Sequence, residues 1–237
     1  MKLNPFLEAV ADRIRLGRSK FPGLCPLDIA PDLQSIIGSL EGEEVFIENE
    51  LHSCVGIRKF HLEIAVIGND LQILHCILFP DPKFNIPIFG ADIVVSSLSV
   101  SAAIMDLSPV TGDLPHNISS KLDKLSLPKF TQVRRLPSWG KIFSPYVQFI
   151  RPSGIEEKSL FLDLLDSYMQ ILLSVLAETS PQELDSPYTI ERHKAQIRYC
   201  NQQKLNDKTK AVLSKAFGIH WAERYIEKLL FDIPPAL

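Results

Sequence analysis

An α+β fold built on an antiparallel sheet is what this sequence predicts, from three observations. Short runs of Ile, Leu, Val and Phe separated by turn residues fill the first two-thirds of the chain, an amphipathic helix precedes them, and from Glu156 onward apolar residues recur at helical spacing. Strands joined by short turns pair antiparallel, and helices before and after such a run are suited to covering its faces.

Taken in order, Asn4 and Pro5 fit a helix start, Asn as the cap and Pro in the first turn. Phe6, Val10 and Ile14 then recur every fourth residue and form one apolar stripe. Pro22, Gly23, Pro26 and Pro31 punctuate a loop from Phe21 to Pro31. A short apolar helical turn is expected around Leu33 to Leu40, and Val45 to Leu51 reads as the first strand. Two strands, Phe60 to Ile67 and Leu71 to Phe79, flank Gly68, Asn69 and Asp70, residue types that accept tight or left-handed backbone. A three-residue turn sets Ile67 opposite Leu71 and, counting back, Glu63 opposite His75. A two-residue turn would send His75 to the other face, because a slip of one reverses every side chain; the three-residue register is adopted here.

After a proline-punctuated loop from Pro80 to Pro87, strands are expected from Ile88 to Val95 and from Val100 to Leu107. Beyond Pro109 a polar span leads to a short helix at Leu122 to Leu127, a segment from Phe130 to Pro137 carrying Arg134 and Arg135, and a strand from Tyr146 to Ile150. From Glu156 to Ala177, Leu160, Phe161, Leu164, Leu165, Tyr168, Ile171, Leu172 and Val175 make a wide stripe fit to cover a sheet. A helix from Pro187 to about Gln203 has Tyr188, Ile190 and Ile197 as its core candidates. Thr209 to Phe217 is stopped by Gly218, and Trp221 to Phe231 closes the fold.

The 237 residues, 46% of them hydrophobic, suffice for a sizeable core, and no linker, repeat or low-complexity run divides them. A net charge of −3 with interspersed signs argues against a general nucleic-acid footprint, so a charged partner must use a local patch. Cys25, Cys54, Cys76 and Cys200 are scattered without the paired spacing of a zinc or iron–sulfur site, which suits a reduced, cytoplasmic chain. The N-terminus does not read as a signal peptide, and Asp163 and Asp166 interrupt the longest apolar run, against an ordinary membrane span.

The chemistry lies between His61 and Pro109. His61 and Glu63 share a face of one strand, His75 joins them in the adopted register, and Asp92 stands among Ile88, Phe89, Ile93 and Val94. An acid so flanked finds a partner, caps a turn, or has its pKa raised and stays partly protonated, which would make it a proton donor. Asp106, just before Ser108 and Pro109, reads as a turn former. A lone His on a sheet face is more often a core residue than a catalyst; two His, a Glu and an Asp on strands that pair shift the balance toward a cleft.

These segments resemble the ferredoxin-dependent bilin reductases: Arg58 to Glu63, Ile73 to Cys76, Ile86 to Val94, Ser101 to Pro109, Leu136 to Gly140, and Asn206 to Thr209. The resemblance spans most of the chain and implies one bilin reductase domain over residues 1–237, folded as a three-layer α/β/α sandwich with a central antiparallel sheet. It implies that the pigment lies between the sheet and the C-terminal helices. It further implies no bound flavin or metal, reduced ferredoxin as a transient partner and electron donor, and biliverdin IXα as substrate. Asp92 resembles the aspartate that protonates the tetrapyrrole, and His75 the histidine that shares a proton with it. Glu63 resembles the glutamate tied to reduction of the D-ring vinyl group, and His61 belongs to the network that holds that site. Retention of His61 and Glu63 favours four-electron reduction to phycocyanobilin, through bilin radicals, over a relative that spares that vinyl and makes phycoerythrobilin; a non-catalytic bilin carrier would need neither proton donor. Asn206 and Asp207 match a pair lining the pocket. Ser101, Arg135 and Lys208 are placed to meet the propionates, with Arg134 a competitor for Arg135. Lys129, Arg134, Lys141 and Lys208 are candidates for a basic patch that meets acidic ferredoxin. A monomer without membrane attachment is expected.

Overall fold

The structure, a computed structural model, describes residues 2–137 and 140–237, and at Asp207 the backbone alone. Asn4 caps α1 (Pro5–Arg18) by accepting from the Phe6 amide, and the stripe Phe6, Val10 and Ile14 is buried. Eight strands follow among the described residues, all paired antiparallel: β1 (Cys25–Pro26), β2 (Ser35–Leu40), β3 (Glu43–Cys54), β4 (Ile57–Ile67), β5 (Leu71–Pro80), β6 (Ile88–Val95), β7 (Val100–Ser108) and β8 (Gln148–Ile150). From β3 to β8 neighbours in sequence are neighbours in the sheet, while β1 and β2 both pair with the outer edge of β3.

Two apolar layers make the sandwich. On one face Leu62, Ile64, Leu74, Cys76, Phe89, Ala91 and Met105 pack with α1 and with the long helix α4 (Gly154–Glu178), whose stripe Phe161, Leu165, Tyr168, Leu172 and Val175 is buried as its spacing predicts. By length and composition α4 could cross a membrane, but here that stripe lies within the core. On the other face Ile47, Ala65, Ile67, Ile77 and Phe79 meet the C-terminal layer. That layer is α5 (Pro187–Gln203), α6 (Asp207–Phe217), α7 (Ile219–Tyr225) and a π-turn, Ile226–Leu230.

Several expectations need correction. Of the segment expected to be a helical turn only Leu33 and Gln34 are helical, as the end of α2 (Pro31–Gln34); Ser35–Leu40 extends as β2 because the open edge of β3 supplies its ladder partners, so Val45 to Leu51 is not the first strand. The short helix α3 is His116–Leu122 rather than Leu122 to Leu127: the Pro115 carbonyl accepts from Ile118 and Ser119 and starts it. Tyr188, Ile190 and Ile197 do not form the core of α5, whose buried face is instead Thr189, Arg192, Ala195, Gln196, Tyr199 and Cys200. The face is polar because it satisfies loop carbonyls: Arg192 Nε donates to Pro82 O at 2.6 Å and Gln196 Nε2 to Pro80 O at 2.8 Å.

The β4–β5 turn holds the adopted register, with Ile67 opposite Leu71 and Glu63 opposite His75. Gly68 makes it possible at φ +58°, where a Cβ would also run into the Glu43 carboxylate. Gly68→Ala is therefore expected to cost about 1–2 kcal/mol, read as a lower urea midpoint; an unchanged midpoint would show that the turn tolerates a side chain.

Candidate active site

Alternation along the strands places the site. β4 presents Lys59, His61 and Glu63 to the C-terminal layer, β5 sets His75 across from Glu63, and β6 sets Asp92 across from His75. His75 Nδ1 and Asp92 Oδ1 are 2.5 Å apart, and the His61 and His75 rings meet edge to face at 5.9 Å. The Phe231 ring closes on His75 at 5.8 Å. Phe231 and Tyr225 are held over the face by the base of β4: Lys59 Nζ donates to Leu229 O at 2.6 Å and pairs with Asp232, and Arg58 Nη1 bridges to Asp232 at 2.7 Å.

Electrostatics separate these groups. Asp92 is not enclosed as its neighbours in sequence suggest: its side chain is 49% exposed, because Phe89, Ala91 and Ile93 point into the opposite layer while it stands at the rim beside His75. Burial alone would lower the His75 pKa, but the charge and hydrogen bond of Asp92 outweigh it and the net shift is upward. Burial holds Glu63 above the usual carboxylate range against the pull of His75 and Tyr225. His61, wholly buried, is driven well below the ordinary imidazole value, first by burial and then by Lys59 and His75. Two ring nitrogens, His75 Nε2 and His61 Nδ1, are buried without a hydrogen-bond partner among the described residues.

A shift of this sign in His75 has a consequence for stability. Its folded pKa lies above the unfolded value, so its contribution is fully present below about pH 6.5 and is lost as pH rises through the folded value. The difference in unfolding free energy between wild type and His75→Gln is expected to shrink as urea titrations are carried from about pH 5 to about pH 9. A difference that stays level would contradict the pairing.

Among the described residues, the hydrogen bonds of the remaining candidates run elsewhere than to this cluster. Arg134 Nη1 donates to Ser101 O at 2.7 Å and lies over the Phe149 ring, which ties it to the sheet edge, while Arg135 is exposed. Asn206 Nδ2 donates to Thr209 Oγ1 at 3.3 Å, Lys208 is exposed, and the Asp207 side chain falls outside the described residues, as do Ser138 and Trp139. Lys129 and Lys141 are exposed as well. Asp106 is not a turn former: it is buried inside β7, accepts from the Ser144 amide at 2.8 Å and from the Ser144 and Ser108 hydroxyls, and so anchors the segment before β8. A cavity of about 290 Å³ lies on this side, lined by Val110, Lys141, Ile142, Arg198, Tyr199 and Gln202. That is near the lower end of the roughly 300–1,000 Å³ that ligand pockets occupy.

Two residues of the cluster escaped the sequence reading. Asn49 of β3 lies across from Glu63, and Tyr225 of α7 reaches the same carboxyl: Tyr225 Oη is 2.5 Å from Glu63 Oε2 and 2.9 Å from Asn49 Oδ1, which is 2.7 Å from His61 Nε2. A polar Asn inside the Val45 to Leu51 strand was the available signal for the first; nothing local marks Tyr225.

The family model described as ferredoxin-dependent bilin reductase matches residues 11–232. Among curated proteins, the chain is 53% identical over 235 residues to a phycocyanobilin:ferredoxin oxidoreductase of Prochlorococcus marinus (strain MIT 9303), covering 99% of this chain and 89% of that one. It is 50% identical over 234 residues to the protein of the same name from Synechococcus sp. (strain CC9902), covering 99% and 95%. Among solved structures, tomato phytochromobilin synthase in complex with biliverdin superposes with a TM-score of 0.76 at 20% identity, over 95% of this chain and 82% of that one, a likeness of fold.

Proposed function

The chain belongs to the ferredoxin-dependent bilin reductases, and on that premise we propose that it reduces biliverdin IXα to phycocyanobilin by four electrons taken from ferredoxin. The observation that carries the reading is the 2.5 Å His75–Asp92 pair on one sheet face with Glu63 and His61, in a chain half identical over its length to enzymes of that name.

Electrons from ferredoxin arrive singly, so the bound pigment passes through radicals, and each electron must be matched by a proton if charge is not to build up in a dry site. The chain's own residues supply those protons. Asp92 stands at the rim with access to solvent, which lets it give a proton to the pigment and be recharged. His75, held cationic more readily by Asp92, donates Nδ1–H to the carboxylate once Asp92 has given up its proton, and its Nε2 is buried with no partner among the described residues. The buried, unpartnered nitrogens of His75 and His61 favour a polar occupant at this place, since an unsatisfied buried polar group costs about 1–3 kcal/mol. Glu63, whose neutral form burial favours, is the donor for the vinyl reduction, and its presence with His61 favours phycocyanobilin over phycoerythrobilin.

The 290 Å³ cavity borders none of His61, Glu63, His75 and Asp92, so in this reading the C-terminal layer yields over them when the pigment enters. In this reading exposed Arg135 and Lys208, with Ser101, meet the propionates, and Asn206 and Asp207 line the pocket. Lys129, Arg134 and Lys141 serve the approach of ferredoxin. We take the protein itself to carry no flavin or metal, and to work as a cytoplasmic monomer with thiols kept reduced. Chromatography of the bilins formed anaerobically from biliverdin and reduced ferredoxin tests the reading: phycocyanobilin is expected, and phycoerythrobilin or unconverted biliverdin would overturn it.

A further inference from the structure

We propose that Tyr225 and Asn49 are positioning residues for Glu63: the Tyr225 hydroxyl accepts a hydrogen from the Glu63 carboxyl while donating its own to Asn49, and turns to Glu63 once that proton has left. The catalytic consequence rests on the role given to Glu63 above, but the arrangement of hydrogens follows from counting donors. Asn49 Nδ2 donates to Leu33 O at 2.7 Å, which fixes the amide and leaves Oδ1, an acceptor only, facing the site. Two groups approach that oxygen, His61 Nε2 at 2.7 Å and Tyr225 Oη at 2.9 Å. Each must bring a hydrogen. His61 therefore carries its proton on Nε2, and the single hydrogen of Tyr225 points at Asn49. The 2.5 Å contact between Tyr225 Oη and Glu63 Oε2 then needs a hydrogen from Glu63, which can supply one only as the neutral acid.

If Glu63 were ionised, the Tyr225 hydrogen would turn to it, and two oxygen lone pairs would be left facing each other between Tyr225 and Asn49. The environment leans the same way: burial favours the neutral carboxyl, as does the carboxylate of Asp92 from β6, against the pull of His75 from β5 and Tyr225 from α7. His61 and Lys59 lie on the strand of Glu63 itself, His61 neutral. When Glu63 passes its proton to a bound acceptor, the Tyr225 O–H rotates from Asn49 to the new carboxylate. No proton leaves Tyr225, and reprotonation of Glu63 from solvent restores the first arrangement. One hydroxyl thus serves both states of the acid, and Asn49 sets which state it prefers.

The test is infrared titration of the pigment-free chain, with the Glu63 carboxyl band isolated by subtracting the spectrum of Glu63→Gln. Tyr225→Phe removes the donor that stabilises the anion, a stronger bond than the one the neutral acid loses, so the band is expected to persist to higher pH than in wild type. Asn49→Leu frees the hydroxyl for Glu63, so the band is expected to vanish at lower pH. Opposite shifts support the proposal; shifts of one sign, or none, overturn it, since loosened packing would not move the two variants apart. The pH limb of phycocyanobilin formation should part in the same directions. Parted infrared titrations with an unmoved limb would uphold the positioning and contradict the role of Glu63 in the reaction.

Discussion

Replacing Asp92 with Asn is expected to slow turnover of biliverdin by about 10²–10⁴-fold, the usual weight of a positioned acid, while the pigment still binds. Asn has the shape of Asp and can still accept from His75 Nδ1, so the geometry of the pair survives. What goes is the capacity to take up and pass on a proton at the rim and, in the ionised form, the negative charge that raises the His75 pKa. Both donors are weakened by one change, which is why a loss at the large end of the range is expected. Anaerobic absorption spectra after mixing with reduced ferredoxin would show biliverdin persisting. Turnover within a few-fold of wild type would remove Asp92 from the mechanism.

Glu63→Gln is expected to divide the reaction. Formation of phycocyanobilin should fall by about 100-fold or more, while the first two-electron step continues and a semi-reduced bilin accumulates. The reasoning is positional: Glu63 is wholly on the buried side of the cluster, next to Tyr225 and apart from the solvent-facing rim where Asp92 stands. Gln preserves volume and hydrogen bonding to Tyr225 but has no proton to give. Product chromatography reads the outcome, and an unchanged product profile would count against the role assigned to Glu63.

Much of the site was legible in the sequence because strands obey a period of two. Gly68, Asn69 and Asp70 allowed a two- or a three-residue turn, and with the three-residue turn adopted Glu63 falls opposite His75, the register the structure has. The long stripe of α4 was equally clear, since apolar helical spacing over six turns has no other reading. Tertiary pairing was what local pattern could not supply. Ser35–Leu40 became a strand because β3 offered an edge, and α5 buries Arg192 and Gln196 rather than its Ile residues because loop carbonyls lie beneath it. Asp106 looked like a turn residue until Ser144, 38 positions away, proved to be its partner. Tyr225 reaches Glu63 across 162 positions, a contact that no periodicity announces.

If this sheet face delivers protons to a bilin as ferredoxin delivers electrons, the two deliveries can be followed together in a time series of anaerobic absorption spectra, with products identified by chromatography, after biliverdin IXα and reduced ferredoxin are added to the wild-type chain. Biliverdin is expected to be consumed through transient bilin radicals and to end as phycocyanobilin. Biliverdin that binds and remains unreduced would contradict it.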